Sequence, residues 1–191
     1  MSKAQRIVAI LFIAGLAIRV ALIPTMGGSE ILSYAKWGHN VYTQGLANSF
    51  DGVYFPIQYL VFSVAHFFTI HLGLTFETVI KIFNLIFEIG LLALIVSLTK
   101  KSLAPWKTML LYWLNPFALI IFQQGYVDAQ FSFFILLTLW LLLKRKGQKY
   151  QYLAASASLG IALLMKPQAI PLLISLAILG GILLITKGVG L

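Results

Sequence analysis

The chain has no cysteine, three histidines and only five acidic residues in 191 positions. The first absence excludes disulfides, thiolate catalysis and cysteine-ligated zinc, and leaves the redox compartment open. His39, His66 and His71 lack metal-ligand spacing and read as interfacial polar residues. A Gly-rich phosphate motif ending in Lys-Ser or Lys-Thr is missing, as are His-Glu-x-x-His and Gly-x-Ser-x-Gly, which argues against nucleotide hydrolysis and zinc proteolysis. Charge is scarce too. Charged residues make up 10% of the chain and hydrophobic ones 60%, more apolar side chain than a soluble domain of this length can hide.

What is present is a series of long apolar runs, recurring along the whole chain rather than once near its start, so a cleaved signal peptide does not account for them. Taking about 17 residues as the shortest span, six runs qualify: Ile7–Ile23, Thr78–Leu98, Thr108–Gln124, Val127–Leu143, Tyr150–Met165 and Ala169–Thr186. The expectation is an all-α, polytopic transmembrane helix bundle of about six spans, a single domain over residues 1–191. The net charge of +9 sits mostly between the runs, where it sets topology and attracts lipid headgroups. It forms no basic, aromatic-interleaved soluble face, so nucleic acid is not an expected partner.

Lys3 and Arg6, Lys100, Lys101 and Lys107, Lys144, Arg145, Lys146 and Lys149, and Lys187 all face the cytoplasm if the positive-inside bias holds. That parity places the N-terminus in the cytoplasm and the chain in the inner or plasma membrane. It also requires Pro56–Leu72, a seventh apolar run interrupted by His66 and His71, to lie in the outer interface without crossing. One long outer loop then runs from Pro24 to about Glu77, carrying juxtamembrane helices rich in Tyr and Trp.

The outer side collects the candidate chemistry. Glu30, Tyr34 and Trp37 recur at helical spacing, so a carboxylate lies near two aromatics on one face. Asp128 follows Gln123, Gln124, Gly125 and Tyr126 between two apolar helices; it reads as a helix cap or as a ligand-facing carboxylate. Asp51 lies in Asn48-Ser49-Phe50-Asp51-Gly52, a turn signal with a structural role. Lys166-Pro167-Gln168 is a tight turn whose lysine breaks the charge bias, which has a use if it meets a phosphate. Within the second span Lys81, Asn84 and Glu88 share one face, with Asn84 bridging the two charges in either a structural seam or a site wall. Arg19 snorkels to the headgroups or contacts substrate.

Three segments together resemble the C-type (GT-C) glycosyltransferases, especially bacterial mannosyltransferase-like members related to the GPI mannosyltransferases. Glu30 to Trp37 followed by Tyr54-Phe55-Pro56-Ile57 is similar to an acidic residue four before a Tyr and a Tyr-Pro-Pro lead into a juxtamembrane helix. Asn115-Pro116 and then Gln124-Gly125-Tyr126-Val127-Asp128 resemble a Trp-Gly-Gln-Val-Asp turn, and Met165-Lys166-Pro167-Gln168-Ala169 a Lys-Pro-Gln-Ala segment. The departures are Glu30 for Asp, Tyr126 for Gln and Ile57 for the second Pro. The likeness covers nearly all of the chain, and because family members are considerably longer, it implies the N-terminal portion of such a protein.

The resemblance implies transfer of a hexose, mannose among the options, from a polyprenyl-phosphate donor to an acceptor on the outer face. It implies Glu30 or Asp128 as catalytic base or as a carboxylate for Mg2+ or Mn2+, with metal-free chemistry as the other possibility. Lys166, Gln168, Gln124, Tyr34, Trp37 and Arg19 become substrate-binding candidates. Two rivals stand beside the enzyme: a lipid-linked-sugar translocator using the Lys81, Asn84, Glu88 face, and a non-catalytic membrane subunit.

Overall fold

The computed structural model describes residues 2–144 and 149–178, and every regular element among them is helical. The order is α1 (Lys3–Leu22), α2 (Glu30–Gln44), α3 (Leu46–Ser49), α4 (Pro56–Leu72), α5 (Phe76–Thr99), α6 (Pro105–Thr108), a π-helical turn (Met109–Trp113), α7 (Pro116–Gln124), α8 (Asp128–Lys144), α9 (Lys149–Leu163) and a 3-10 turn (Pro167–Ala169) that opens a last apolar helix reaching Ile178.

Local chemistry sets the boundaries. Ser2 starts α1 with a reciprocal capping box to Gln5, and the Thr75 hydroxyl accepts from the Thr78 amide at the start of α5. Pro56 and Pro116 occupy first-turn positions, where a missing N–H costs nothing. Gly125 ends α7 in the left-handed region at φ 77°, and a β-carbon there would also strike Ile31 Cδ1 at 2.5 Å, so both torsion and space demand glycine.

Among the described residues two helices, Lys3–Leu22 and Phe76–Thr99, are long and apolar enough to cross a membrane. The expected six unbroken spans are not all met. Thr108–Gln124 is divided: the residue before a proline is driven out of the helical region, Asn115 is extended, and its side chain caps Phe117 N at 2.9 Å. Among the described residues α8 has 17, which meets the expected length, and α9 has 15. The expected last span, Ala169–Thr186, extends beyond the described residues, as do the basic positions Arg145, Lys146 and Lys187.

Helix α5 is the hub, contacting α2, α4, α6, α7 and α8. Near its start, Ile31, Tyr34, Phe62, Ala65, Val79, Ile80 and Val127 form one core; further along, Leu92, Met109 and Trp113 form another with α1. The buried residues of α2, Ile31, Tyr34, Gly38 and Val41, follow helical spacing. Gly38 lets α2 approach α4 until a β-carbon would lie 2.5 Å from the Phe62 carbonyl. Helix α9 faces α8 with the small residues Ala155, Ser158 and Ala162, all buried.

Both ends of α4 reach the same end of the molecule. At its start, Phe55 N donates to Met165 O (3.2 Å) and Ile57 N to Leu164 O (2.9 Å), where α9 finishes. At its finish, Gly73 turns the chain into α5. That end, the loop end, also holds the finish of α1, because Lys81 Nζ donates to Leu22 O (3.3 Å) and Thr25 O (2.5 Å). The other end, with Lys3, Lys100 and Lys107, is the basic end.

Candidate functional site

The sequence candidates converge at the loop end around Tyr54. Helix α2 carries Glu30 and Tyr34 one turn apart, and Tyr34 Oη donates to Glu30 Oε2 at 2.5 Å. The Tyr34 and Tyr54 hydroxyls lie 3.1 Å apart. Burial, reinforced by hydrogen bonds to Glu30 and Tyr54, pushes the Tyr34 hydroxyl far above the ordinary tyrosine range, so it stays a donor to the carboxylate. Glu30, Ser33, Tyr34, Trp37, Val53 and Tyr54 line a cavity of about 200 Å³.

On the other side of Tyr54 lies Lys166. Its backbone is extended (φ −143°, ψ 142°) because Pro167 follows, and the pairing of Phe55 and Ile57 with the end of α9 brings Tyr54 beside it. Lys166 Nζ donates to Asp128 Oδ1 at 2.8 Å and sits 5.2 Å from the ring centres of both Tyr54 and Phe131. The lysine side chain is 9% exposed and the aspartate 46%. Asp128 thus serves as an ion-pair partner from the first turn of α8. It also borders a second cavity, about 270 Å³, that passes Ala129, Ser132 and Ile121 toward Leu91, Ile95 and Leu136.

The loop joining α3 to α4 is held by Asp51. Its carboxylate accepts from Trp37 Nε1 (2.6 Å), from the Val53 amide (3.2 Å) and from the Tyr59 hydroxyl. Burial opposes ionisation of Asp51, but those hydrogen bonds outweigh it and hold the carboxyl below its usual range; burial and Asp51 together push Tyr59 up to about 12. This node ties α2 to α4 and fixes the Trp37 ring against the rings of Tyr54 and Phe62.

Other candidates are placed elsewhere. Arg19 does not snorkel and does not face the cavity. It is fully buried, ion-paired with Glu88, bonded to Trp113 O at 2.7 Å and stacked 3.8 Å from the Trp113 ring centre. The expected bridge from Lys81 through Asn84 to Glu88 does not form either. Lys81 pairs with Glu77 (3.0 Å), Glu88 with Arg19, and Asn84 reaches α8 and the Tyr126 carbonyl. A side chain on a helix turns toward whichever neighbour satisfies it, and here each has a different one. Gln124 clasps the loop after α1: its carbonyl accepts from Gly28 N at 2.9 Å, and its side chain bonds Gln123. Gln168 is exposed.

Sequence reasoning missed a buried amide relay. Gln58 on α4 donates to Gln130 on α8 (3.1 Å), which donates to Asn84 on α5 (2.8 Å), which donates to Tyr126 O (3.1 Å). The available signal was glutamine inside otherwise apolar runs. Tyr54, the junction of the site, was visible only as the first residue of the Tyr-Phe-Pro-Ile segment. The histidines, expected to be interfacial polar residues, include a pair, His39 Nδ1 lying 3.2 Å from His66 Nε2.

Compared with the models of known protein families, with curated proteins and with solved structures, the chain matches none. Side-chain geometry therefore carries the functional reading. For a divalent cation, the two candidate carboxylates do not share a locus: Glu30 is engaged by Tyr34, and an ammonium occupies Asp128. Among the described residues no three His, Asp or Glu side chains gather. In this arrangement Glu30 and Asp128 are each held by a neighbouring side chain rather than turned toward one shared point.

Proposed function

We propose that this chain is the core of a membrane-embedded, GT-C-like glycosyltransferase that takes a hexose from a polyprenyl-phosphate donor. The observation that carries the reading is the convergence of Glu30, Tyr34, Trp37, Asp128 and Lys166 on Tyr54, from segments up to 136 residues apart. The membrane part is supported by apolar side chains that point outward, such as Ile10 (65% exposed) and Ile13 (63%) on α1, an arrangement suited to lipid and costly in water. In this reading α1, α5, α8, α9 and the divided α6–α7 segment cross or enter the bilayer, and the basic end is cytoplasmic.

The two cavities divide the labour. Lys166 is the cation for the donor phosphate, paired with Asp128, which lines the mostly apolar cavity where a lipid chain finds Leu91, Ile95 and Leu136. Asp128 keeps the lysine extended until the phosphate takes its place. The cavity under Trp37 and Tyr54 receives a sugar, with an apolar ring face against the aromatics and hydroxyls toward Glu30 and Ser33. Glu30 is the base. Its Oε2 is fixed by Tyr34 and Oε1 faces the acceptor hydroxyl, whose oxygen bonds to the anomeric carbon as the bond to the lipid phosphate breaks; the proton goes to Glu30 and polyprenyl phosphate leaves.

The test is transfer of labelled hexose from a polyprenyl-phosphate donor in membranes carrying the chain, alone and within any longer natural product. Transfer lost in Glu30→Gln but kept in Lys101→Ala supports the reading; transfer indifferent to Glu30 and Lys166 removes it. Topology is tested separately with cysteines at Asn48 and Ser102, which label from opposite sides of the membrane if the basic end is cytoplasmic.

A further inference from the structure

Away from the site, at the basic end, a cleft of about 580 Å³ opens between the first turns of α1 and the α6–π segment. We propose that it binds one acyl chain of an anionic phospholipid, with the headgroup met by Lys3, Arg6 and Lys107. The inference rests on the membrane part of the proposed function, with the basic end at the cytoplasmic leaflet, and not on glycosyl transfer.

The cleft exists because α1 presents small side chains there. Ala4, Val8 and Ala9 form one wall, and Trp106 and Met109 the other. Its floor is rigid: Phe12 is stacked on Trp113 at 5.6 Å with rings 6° apart, and Trp113 Nε1 is tied to the Phe12 carbonyl at 3.0 Å. Helix α1 touches α6 and the π turn directly, so the opening is a slit between contacting helices rather than a seat for another helix. Its volume falls in the range of small-molecule sites, about 300–1,000 Å³. An apolar slit of this kind favours a hydrocarbon chain over water.

Charge at the rim selects the head. Lys3 and Arg6 belong to the same first turn of α1 as the lining residues Ala4 and Gln5, at the headgroup level rather than in the slit, and all three basic side chains are exposed. Lys107 Nζ lies 5.6 Å from the ring centre of Trp106, itself a lining residue. No acidic residue offsets them. Glu30, Asp51, Glu77 and Asp128 belong to the loop end, about 30 Å away along the 20 residues of α1, and Glu88 is consumed by Arg19. The positive end of the α1 dipole adds to the same field. A zwitterionic lipid gains the apolar contact but little of the rim.

The test is native mass spectrometry of the detergent-solubilised full chain titrated with phosphatidylglycerol and with phosphatidylcholine of identical acyl chains. The expected result is one tightly retained phosphatidylglycerol, bound tenfold or more tighter than phosphatidylcholine, at roughly fivefold per basic residue near the surface. Ala9→Phe fills the slit and should abolish retention of both lipids. The triple variant Lys3→Gln, Arg6→Gln, Lys107→Gln changes only exposed side chains and should bring the two lipids within about twofold of each other. Equal affinities in the unaltered chain, or selectivity that survives the triple variant, overturn the site even if Ala9→Phe does not fold. Alkaline carbonate extraction separates the two levels. Release of the chain from membranes defeats the membrane reading itself, whereas a chain that stays in the membrane and binds lipids without preference defeats only this proposal.

Discussion

Among the described residues, two long-range ion pairs have opposite character. Arg19–Glu88 is sealed, with side chains 0% and 5% exposed, inside a cage of Trp113, Gly15 and Phe122. Lys166–Asp128 is half open, with the aspartate 46% exposed beside a cavity. A buried pair exchanges little with water, so it acts as a lock between α1 and α5, with Glu88 reaching the inner wall of the cavity that Asp128 borders. An open pair can trade its carboxylate for another anion at small cost. Exposure, rather than the identity of the charged groups, therefore assigns the two pairs different work.

Breaking the sealed pair should have the largest effect. Arg19→Ala leaves Glu88 charged and enclosed, a loss of about 3–5 kcal/mol, and thermal unfolding of the purified chain should show a collapse of the transition or failure to accumulate. Replacing both partners by apolar residues of similar volume, Arg19→Met with Glu88→Leu, should recover most of that stability. If the double variant is no better than the single, the pair is more than a lock.

Sequence reading singled out Lys166 and Asp128, which the fold pairs with each other, but misjudged Arg19, and the reason is physical. Lys166 and Asp128 lie at turns flanked by glycine, glutamine and proline, where the chain leaves its helices and a charged side chain stands out against its neighbours. Arg19 sits within an apolar helix, and its partner is 69 residues away; helical spacing tells which residues share a face, not what the face meets. The same limit hid the Gln58, Gln130, Asn84 relay. The division of the third expected span was legible in Asn115-Pro116, whose capping and pre-proline geometry outweigh a continuous apolar pattern. The α2 helix and the structural role of Asp51 were legible because amphipathic spacing and turn residues act locally.

The next two effects sharpen the open side of the comparison. Glu30→Gln keeps a hydrogen-bonding partner for Tyr34 but removes the base, so transfer should fall about a hundredfold or more with the melting temperature nearly unchanged; full activity would return the base role to Asp128. Lys166→Ala should weaken binding of a polyprenyl-phosphate sugar by about tenfold or more, the worth of a charge-assisted contact, and Lys101→Ala should leave it unchanged. Asp128→Asn, which still accepts from Lys166, should cost less than Lys166→Ala in the same binding assay. The reverse order would make Asp128, not Lys166, the group that meets substrate.

The smallest effect belongs to a pair with no opposite charge at all. His39 on α2 and His66 on α4 share a hydrogen bond of 3.2 Å, with Tyr42 edge-on to His66 at 5.6 Å. Burial, with the His39 ring as a second cause, holds the His66 pKa below its ordinary value. The unfolded chain, with an ordinary histidine near 6.5, therefore binds the proton more readily than the folded one. Stability rises with pH through the window between the depressed folded value and the ordinary one, and is lost as pH falls through it. Asp51 also loses its contribution in acid, but in a separate window, because its depressed carboxyl matters only as pH drops below the ordinary carboxylate range, about 3.9. Between pH 7.5 and 5.5 the histidine contribution should move. Because His39 is exposed, screening keeps the change small, and the expected fall in melting temperature is about 2 °C or less. His66→Gln should flatten that slope while leaving the α2–α4 packing through Gly38 and Phe62 intact. A slope of equal size in the Gln variant would place the titrating group elsewhere and leave the pair as packing alone.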